Sequence, residues 1–454
     1  MLDRLRKKIA GVEADFIDIR YEIKRETRIV STGQGVTEAG SNTTDGYVVR
    51  VLKDSGFAQT TVTRAEDIDH GLTLALEGAE VIAASGGKKT GFAPVAPVED
   101  VVGLELSGDP ALVPLTDKVS LLDGYRRLLL DQPEIATVNL TYREIGREKY
   151  YCSSEGTALH EDILTTNIIG EAVAGRGDLL QNVRIAVGGA DGYDRVLGRE
   201  ELFRERARIA RELLDAEPVK AGTCDVVLNP SLSGVFTHEA FGHFSEADII
   251  EDNPTLRKKM SLGSELGNGI VSIVADSTLP GQIGLYSYDD EGVPVKPVTL
   301  MEKGILTGRL HSRRTAAEFG EPVTGHAVAE DHRYGPIVRM GTIFIVPGEE
   351  SLDDLLRKMG DGLYLLDAKG GQTSGENFTF GAQYGYRVEN GRIGGMVRDI
   401  NIMGNLFTTL KSIEGISDEM VLSERGGCGK GQLNIKSSTG GPSILIRDMV
   451  VGGV

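Results

Sequence analysis

The chain has 454 residues, and its formal net charge at pH 7 is −18. Hydrophobic residues make up 40% of it and charged residues 26%, which is the balance of a globular protein long enough for two or three domains. Because such an acidic protein is repelled by phosphate backbones, nucleic acid is not expected as a partner.

The N-terminal segment and the cysteines indicate a cytoplasmic protein. The basic residues at the N-terminus are not followed by the apolar run of a secretory signal, and no stretch approaches the roughly 18 apolar residues of a membrane span. The three cysteines, Cys152, Cys224 and Cys428, are odd in number and far apart. This pattern argues against a disulfide framework and fits a reducing compartment. We therefore expect no membrane partner.

The N-terminal half of the chain is predicted to combine helices with strands. Residues 1–12 predict a short basic helix, and residues 67–84 carry apolar side chains at helical spacing. Alternation of polar and apolar residues between them predicts four strands, at 16–23, 28–36, 46–52 and 57–62. A Pro-rich connector at 93–98 precedes a second predicted helix at 118–130 and a strand at 136–142.

A weak internal repeat is visible in this half. One offset of 121 residues aligns Tyr21 with Tyr142 and Gly35 with Gly156. Such short matches also arise when unrelated strands share the same chemistry. We expect two similar units here, each a helix with an antiparallel sheet.

A glycine-rich passage at 187–198 is the best candidate for a linker. It divides the chain into an N-terminal α/β domain, residues 1–197, and a C-terminal domain, residues 198–454. A helix is predicted directly after this passage, at 199–215, and is expected to end near Pro218.

The second half is predicted to open with a buried strand at 224–229. A helix follows after Pro230, with Ser231 or Ser233 as its N-cap. Downstream, the pattern predicts strands with one short helix at 352–359. The fold class is therefore α+β, with an α/β N-terminal domain and a mainly antiparallel β C-terminal domain whose first helix carries a metal motif.

That motif is the segment THEAFGH, in which His238, Glu239 and His243 form the pattern HExxxH. In the familiar zinc motif HExxH the histidines lie about 40° apart around a helix, so that both face one ion. Histidines five residues apart diverge by about 140°, and a straight helix cannot bring both to one metal. Because Gly242 lowers the cost of a distortion, we predict a π-bulge or break at Phe241 and Gly242.

The third metal ligand could be a His, Cys, Asp or Glu, since catalytic zinc usually has three protein ligands and one open position. Cys428 lies in SERGGCGKGQ, where glycines let the backbone approach closely and Lys430 would favour the thiolate. Cys152 and Cys224 lie in apolar strands and are predicted to be inert. The alternative for the two histidines is hydrogen bonding on separate faces of the helix.

These residues predict hydrolytic chemistry. A zinc-activated water would attack a carbonyl, and Glu239 would accept the proton of the water and pass it to the leaving amine. Because a thiolate donates more charge than an imidazole, the zinc would be a weaker Lewis acid than one held by three nitrogens, and we expect modest activity.

The remaining motifs are weaker candidates. His311, His326 and His332 fall in a polar stretch that is predicted to be a long loop, and we expect all three at the surface. The segment GGCGKGQ is not a phosphate loop, because no Ser or Thr follows its lysine, and no GxSxG motif is present.

Several segments resemble the TldD/PmbA family of zinc metallopeptidases. They are THEAFGHFSEAD (237–248), YDDEGVPVKPVTLMEKGILTG (288–308), GGQTSGENFTFGAQYGYRVENGRI (370–393), GGCGKGQ (426–432) and GGPSILIRDMVVGG (440–453). The resemblance implies a cytoplasmic metallopeptidase with zinc on His238, His243 and Cys428 and with Glu239 as the catalytic acid/base. It is strong in the second half and weaker in the first.

The resemblance also implies partners. PmbA-like (TldE) members lack the metal motif, so that this chain is similar to the TldD-type, metal-binding member. Members work as homodimers or as heterodimers with a metal-free paralogue, around a cavity that admits unfolded peptides as added β-strands. Residues 289–292 and 371–380 are expected to line the cleft. The FSEAD segment, with Glu246 and Asp248, departs from the glycine-containing stretch of other members, and the cleft is expected to differ there.

Three functions remain open at this point. The first is a peptidase that acts on short or unfolded peptides. The second is a non-enzymatic peptide-binding or regulatory subunit with a structural zinc, against which Glu239 argues, since a structural site needs no general base. The third is a zinc amidohydrolase of small molecules, which a narrow pocket would favour over a long groove.

Overall fold

The computed structural model describes residues 1–86 and 89–453. Its α-helices within these ranges are α1 (Leu2–Ile9), α2 (Ile68–Ala84), α3 (Leu115–Leu130), α4 (Glu200–Asp215), α5 (Pro230–Phe236), α6 (His243–Ser245), α7 (Ala247–Ile250), α8 (Pro254–Lys259), α9 (Arg313–Phe319), α10 (Leu352–Met359) and α11 (Leu406–Lys411). A π-helix, Thr237–Gly242, joins α5 to α6. Among the described helices, none is both long and apolar enough to cross a lipid bilayer.

A seven-stranded sheet forms the first half of the chain. Its strands are β1 (Phe16–Thr32), β2 (Gly35–Lys53), β3 (Gly56–Val62), β4 (Glu99–Val102), β5 (Ile135–Ser153), β6 (Ala158–Arg176) and β7 (Leu179–Gly189). The first three strands form an antiparallel meander, and helix α2 follows it. Strands β5 to β7 form a second meander, and helix α4 follows that one. The two similar units therefore exist, and antiparallel pairing of β1 with β5 joins them into one sheet.

The second half contains two larger sheets. Its strands are β8 (Glu217–Pro218), β9 (Gly222–Leu228), β10 (Ile273–Ala275), β11 (Val298–Glu302), β12 (Ile305–Leu306), β13 (Ala327–Val328), β14 (Ile337–Val338), β15 (Thr342–Ile345), β16 (Gly362–Ser374), β17 (Asn377–Glu389), β18 (Arg392–Arg398), β19 (Ile400–Asn405), β20 (Ile413–Ile416), β21 (Val421–Cys428), β22 (Ile435–Gly441) and β23 (Ile444–Gly453). A six-stranded sheet has the order β12-β11-β10-β15-β22-β21. The eight-stranded sheet contains a ring of five strands. Neighbours in the order β16-β9-β23-β19-β17 are paired, and β17 also pairs with β16, which closes the ring.

These elements confirm the α+β fold class. The helices predicted at 67–84, 118–130, 199–215 and 352–359 are present with nearly the predicted bounds. The strand predicted at 28–36 is wrong, because the chain turns at residues 33–34 and the two flanking segments belong to different strands. Alternation alone does not separate the arms of a tight hairpin, since the side-chain period of 2 continues through a two-residue turn.

Helix α4 lies just after the proposed division of the chain at residues 197 and 198, and it packs on the sheet that precedes it. Phe203 stacks on Tyr125 of α3 with 4.2 Å between ring centroids. Both rings belong to a buried cluster formed by α3, α4 and strands β5 to β7. The division into two domains stays a prediction. Helix α4 follows the proposed boundary but packs on elements that precede it.

Buried charges also connect the two halves. Arg50 of β2 lies between Asp18 of β1 and Glu291 of the second half, with 2.8 Å between its Nη1 and the Glu291 carboxylate. Arg20 pairs with Asp290 at 3.2 Å. Since all five side chains are nearly inaccessible to solvent, each charge depends on its partner to offset the cost of desolvation.

This arrangement predicts that Arg50→Ala destabilises the fold by about 3–5 kcal/mol, because two buried carboxylates lose their shared cation. The free energy of unfolding in urea measures the effect. Arg64→Ala is the matched control, since Arg64 is 66% exposed and solvent screens its ion pair with Asp67. Equal losses in the two variants would contradict the assignment of the buried network as a junction.

Candidate metal centre

The metal motif begins in a helix that starts next to strand β9. The N-cap of α5 is Asn229, whose side chain accepts a hydrogen bond of 3.0 Å from the backbone N–H of Leu232. The prediction of Ser231 or Ser233 as N-cap is therefore wrong, because Pro230 occupies the first helical position and the residue before it is left to cap.

The predicted distortion of this helix is confirmed. Residues Thr237–Gly242 form a π-helix, and the backbone N–H of His243 donates to the carbonyl of His238, five residues earlier. A five-residue bond widens the turn, so that residues at this spacing lie above one another. The rings of His238 and His243 are 5.0 Å apart between centroids.

Packing explains why glycine precedes the second histidine. A Cβ atom on Gly242 would lie 2.2 Å from the Sδ atom of Met340 and 3.1 Å from the Cδ1 atom of Ile343. No side chain fits in that space without displacing its neighbours. The wide turn is thus pressed directly against the strand that follows Met340 in the six-stranded sheet.

The edge strand of that sheet brings Cys428 to the histidines. Its Sγ atom lies 3.0 Å from Nε2 of His238 and 3.6 Å from Nε2 of His243. The three donor atoms all lie within 4.8 Å of one another. Two imidazole nitrogens and one thiolate are a donor set that suits zinc, and three ligands leave a position open. The structure therefore brings together all three residues that the sequence predicted as ligands.

The pKa values of the two histidines are shifted in opposite directions. Burial lowers the pKa of His238, so its imidazole is neutral, which metal binding requires. Burial also opposes a charge on His243, but its contacts with Cys428 and Glu246 outweigh burial and raise its pKa. A proton and a metal ion would therefore compete for the imidazole of His243.

Glu239 lies beside the histidines and is held by strand β16. One carboxylate oxygen, Oε2, is 3.9 Å from Nε2 of His243. The hydroxyl of Thr373 lies 2.6 Å from the carbonyl oxygen of Glu239 and 3.3 Å from Oε2. A Cβ atom on Gly371 would stand 3.0 Å from Cγ of Glu239, so glycine leaves the carboxylate room. This carboxylate is placed to exchange a proton with a group bound near His243.

Glu246 orients the second histidine, a role that the sequence did not predict. It is fully buried, and its Oε2 lies 3.2 Å from Nδ1 of His243. Despite burial, the nearby ammonium of Lys430 and the contact with His243 lower the pKa of Glu246 to about 2. An ionised carboxylate on Nδ1 leaves Nε2 free to face the metal. The spacing could have predicted this contact, since Glu246 is an acidic residue three positions after the ligand candidate His243.

Lys430 forms ion pairs with two carboxylates behind the metal site. Its ammonium lies 3.0 Å from Glu246 and 2.7 Å from Asp248, so that it neutralises these carboxylates behind the site. The buried guanidinium of Arg339 adds a second cation, 3.7 Å from Glu246. The prediction that Lys430 favours the Cys428 thiolate stays a prediction.

The donor atoms face an open cavity with a volume of about 1080 Å³. Residues 370–373 and 421–430 line two of its sides, and Arg184, Leu202 and Arg206 line a third side from the N-terminal sheet and α4. Part of the predicted segment 371–380 thus borders the cleft. Residues 289–292 do not, because their carboxylates are buried in the junction between the two halves.

The other histidines of the second half differ from expectation. His311, His326 and His332 are buried rather than exposed, with at most 5% of each accessible to solvent. His311 lies 3.0 Å from Glu321, and His326 lies 2.9 Å from the carbonyl of Thr324. Polar residues suggested a surface loop, but internal ion pairs and hydrogen bonds allow them to be buried.

Comparison with known proteins finds relatives of this chain. Residues 221–453 match the family model described as the PmbA/TldA metallopeptidase C-terminal domain. A metalloprotease of Synechocystis sp. is 37% identical over 97% of this chain and 95% of its own length. A zinc metalloprotease TldD homolog of Saccharolobus solfataricus is 31% identical over 98% of both chains. The crystal structure of TldE from Thermococcus kodakarensis has the same fold, with a TM-score of 0.78, 16% identity and coverage of 100% and 99%.

The position of Glu246 predicts that Glu246→Gln weakens zinc binding about 10- to 100-fold, because the amide no longer fixes the orientation and basicity of His243. Competition with a chromogenic chelator measures the zinc affinity. Asp248→Asn is the matched control, since it removes another partner of Lys430 without touching a histidine. Equal losses in both variants would mean that Glu246 acts only through the ion pair with Lys430.

Proposed function

The chain belongs to the TldD/PmbA family of metallopeptidases, and on this premise we propose that it is a zinc-dependent peptidase that hydrolyses short or unfolded peptides. His238 and His243 would hold the zinc through Nε2, and Cys428 through Sγ. The observation that carries the proposal is the meeting of these three donors within 4.8 Å, beside a carboxylate, in an open cavity.

Zinc, when bound, supplies Lewis acidity that lowers the pKa of water and polarises a carbonyl. Glu239 accepts the proton of the attacking water and delivers it to the leaving amine. The Thr373 hydroxyl contacts this carboxylate, and the absence of a side chain at Gly371 leaves room for it. Glu246, on the far side of His243, holds that imidazole in one orientation.

The shape of the cavity favours peptides over small molecules. Its volume of about 1080 Å³ is at the upper end of the range of small-molecule pockets, and it is open to solvent. Strand β21 (Val421–Cys428) is the last strand of its sheet and lines the cavity. Its free edge can pair with an extended peptide, which gives affinity through the backbone and little sequence specificity.

The same proposal includes the assembly and location of the protein. We infer that it acts in the cytoplasm as a dimer, with a second copy of itself or with a metal-free PmbA-like (TldE) paralogue. The fold that it shares with TldE of Thermococcus kodakarensis supports the second arrangement, since pairing by pseudo-symmetry needs chains of similar shape.

The first test is the zinc content of the purified protein. We expect about one zinc per chain, and we expect Cys428→Ala to lose it because two histidines alone bind zinc weakly. Mass spectrometry of untagged protein measures the metal. Cys224→Ala, a partly buried cysteine outside the cavity, is the control and should keep its zinc. Zinc that survives the loss of Cys428 would exclude that residue as a ligand.

The second test separates the peptidase from a subunit with structural zinc. Glu239→Gln should keep zinc but lose about 10²- to 10⁴-fold in kcat, because the amide cannot accept a proton. Turnover of a mixture of unstructured peptides, followed by mass spectrometry, measures activity. Glu419→Gln changes another acidic residue of the same cavity and should keep activity. If wild-type protein with zinc cleaves no peptide, alone or with its paralogue, the non-enzymatic function stands.

A further inference from the structure

Four arginines line the cavity beside the metal centre, and only two of them are neutralised. Arg199 pairs with Glu424, and Arg206 pairs with Asp367. The other two form no ion pair within residues 1–86 and 89–453; they are Arg184 of β7 and Arg425 of β21. The Nη1 atom of Arg184 is buried without a hydrogen-bond partner in the described part of the chain. The cavity therefore contains two uncompensated positive charges.

Both guanidinium groups lie along the strand segment that holds the catalytic carboxylate. Arg425 donates through Nη1 to the carbonyl of Ala368 at 3.2 Å. Nη1 of Arg184 is 3.7 Å from the Cβ position of Gly370, and Cγ of Glu239 is 3.0 Å from that of Gly371. Given the spacing of adjacent residues in a strand, Arg184 lies within roughly 12 Å of Glu239.

The two arginines are close enough to repel each other. Burial lowers the pKa of Arg425, and the neighbouring charge of Arg184 lowers it further. Like charges that face one cavity without a counter-ion are unfavourable, and an anion that binds to both removes the repulsion. The guanidinium fork matches the geometry of a carboxylate and binds it through two parallel hydrogen bonds.

We propose that Arg184 and Arg425 form a subsite for a carboxylate of the substrate, which rests on the proposed peptidase function. The carboxylate is the C-terminus of a peptide or the side chain of an Asp or Glu. An extended peptide advances about 3.3 Å per residue, so this group lies no more than about four residues from the cleaved bond. The open edge of β21 accepts any sequence, and the arginine pair selects where along the chain the enzyme cuts.

The kinetic test uses one short peptide in four forms with zinc-loaded protein. The forms are a free C-terminal acid, its amide, the amide with one internal Glu, and the amide with Gln at that place. We expect kcat/KM to be about tenfold or more higher for the acid than for the amide, or for the Glu form than for the Gln form. The pair of peptides that differs identifies which of the two carboxylates binds.

Variants then assign the preference to the two arginines. Arg184→Gln and Arg425→Gln should each abolish most of the preference, measured in each variant as the ratio of kcat/KM between the acidic peptide and its neutral counterpart. Arg425→Lys keeps the charge and should retain part of the preference. Arg204→Gln is the control, because Arg204 is 50% exposed on the same helix as Arg206 and lies outside the cavity. Circular dichroism and thermal unfolding check that each variant is folded.

A binding measurement separates this proposal from the proposed function. Fluorescence anisotropy of the labelled peptides on zinc-loaded Glu239→Gln protein reports affinity without turnover. Tighter binding of the acidic forms, lost in Arg184→Gln, supports the subsite even if the wild-type protein hydrolyses nothing. Equal binding and equal cleavage of all four peptides would overturn the subsite and leave the peptidase intact.

Discussion

The five-residue spacing between His238 and His243 is the constraint on which the rest of the site depends. A regular α-helix would turn the two imidazoles about 140° apart. The backbone bond from His243 to the carbonyl of His238 replaces the regular four-residue bond and turns both rings to one side. This arrangement is costly for an isolated helix. Packing stabilises it here, because Gly242 has no side chain and the helix lies directly against Met340. The metal centre is therefore built by tertiary contacts as much as by the motif.

Three different parts of the second half meet at this helix. Strand β21 supplies the thiol, strand β16 positions Glu239, and a buried carboxylate with two nearby cations orients His243. The cations matter because a lone Glu246 at that depth would take up a proton, and a neutral carboxyl group is a weaker acceptor for the Nδ1 proton. The charge arrangement behind the histidine thus keeps its other nitrogen available for a metal.

The N-terminal half takes part in the site although it contributes no metal ligand. Strand β7 and helix α4 form one side of the cavity, and the buried pairs of Arg50 and Arg20 with carboxylates of the second half hold this wall in register. The cavity beside Glu239 therefore lies between the halves. The unpaired arginines lie on this boundary, one from each half, so any recognition that they provide depends on the junction.

The sequence by itself determined what depends on local geometry. The spacing of His238 and His243, with glycine before the second, was enough to predict a π-distortion, and glycines around Cys428 distinguished it from the two cysteines in apolar strands. Tertiary structure alone decided which charges are paired. Glu246 is a polar residue whose burial depends on Lys430 and Arg339, two cations that lie far from it along the chain. Residue type and local pattern cannot predict such partners, because long-range packing brings them together.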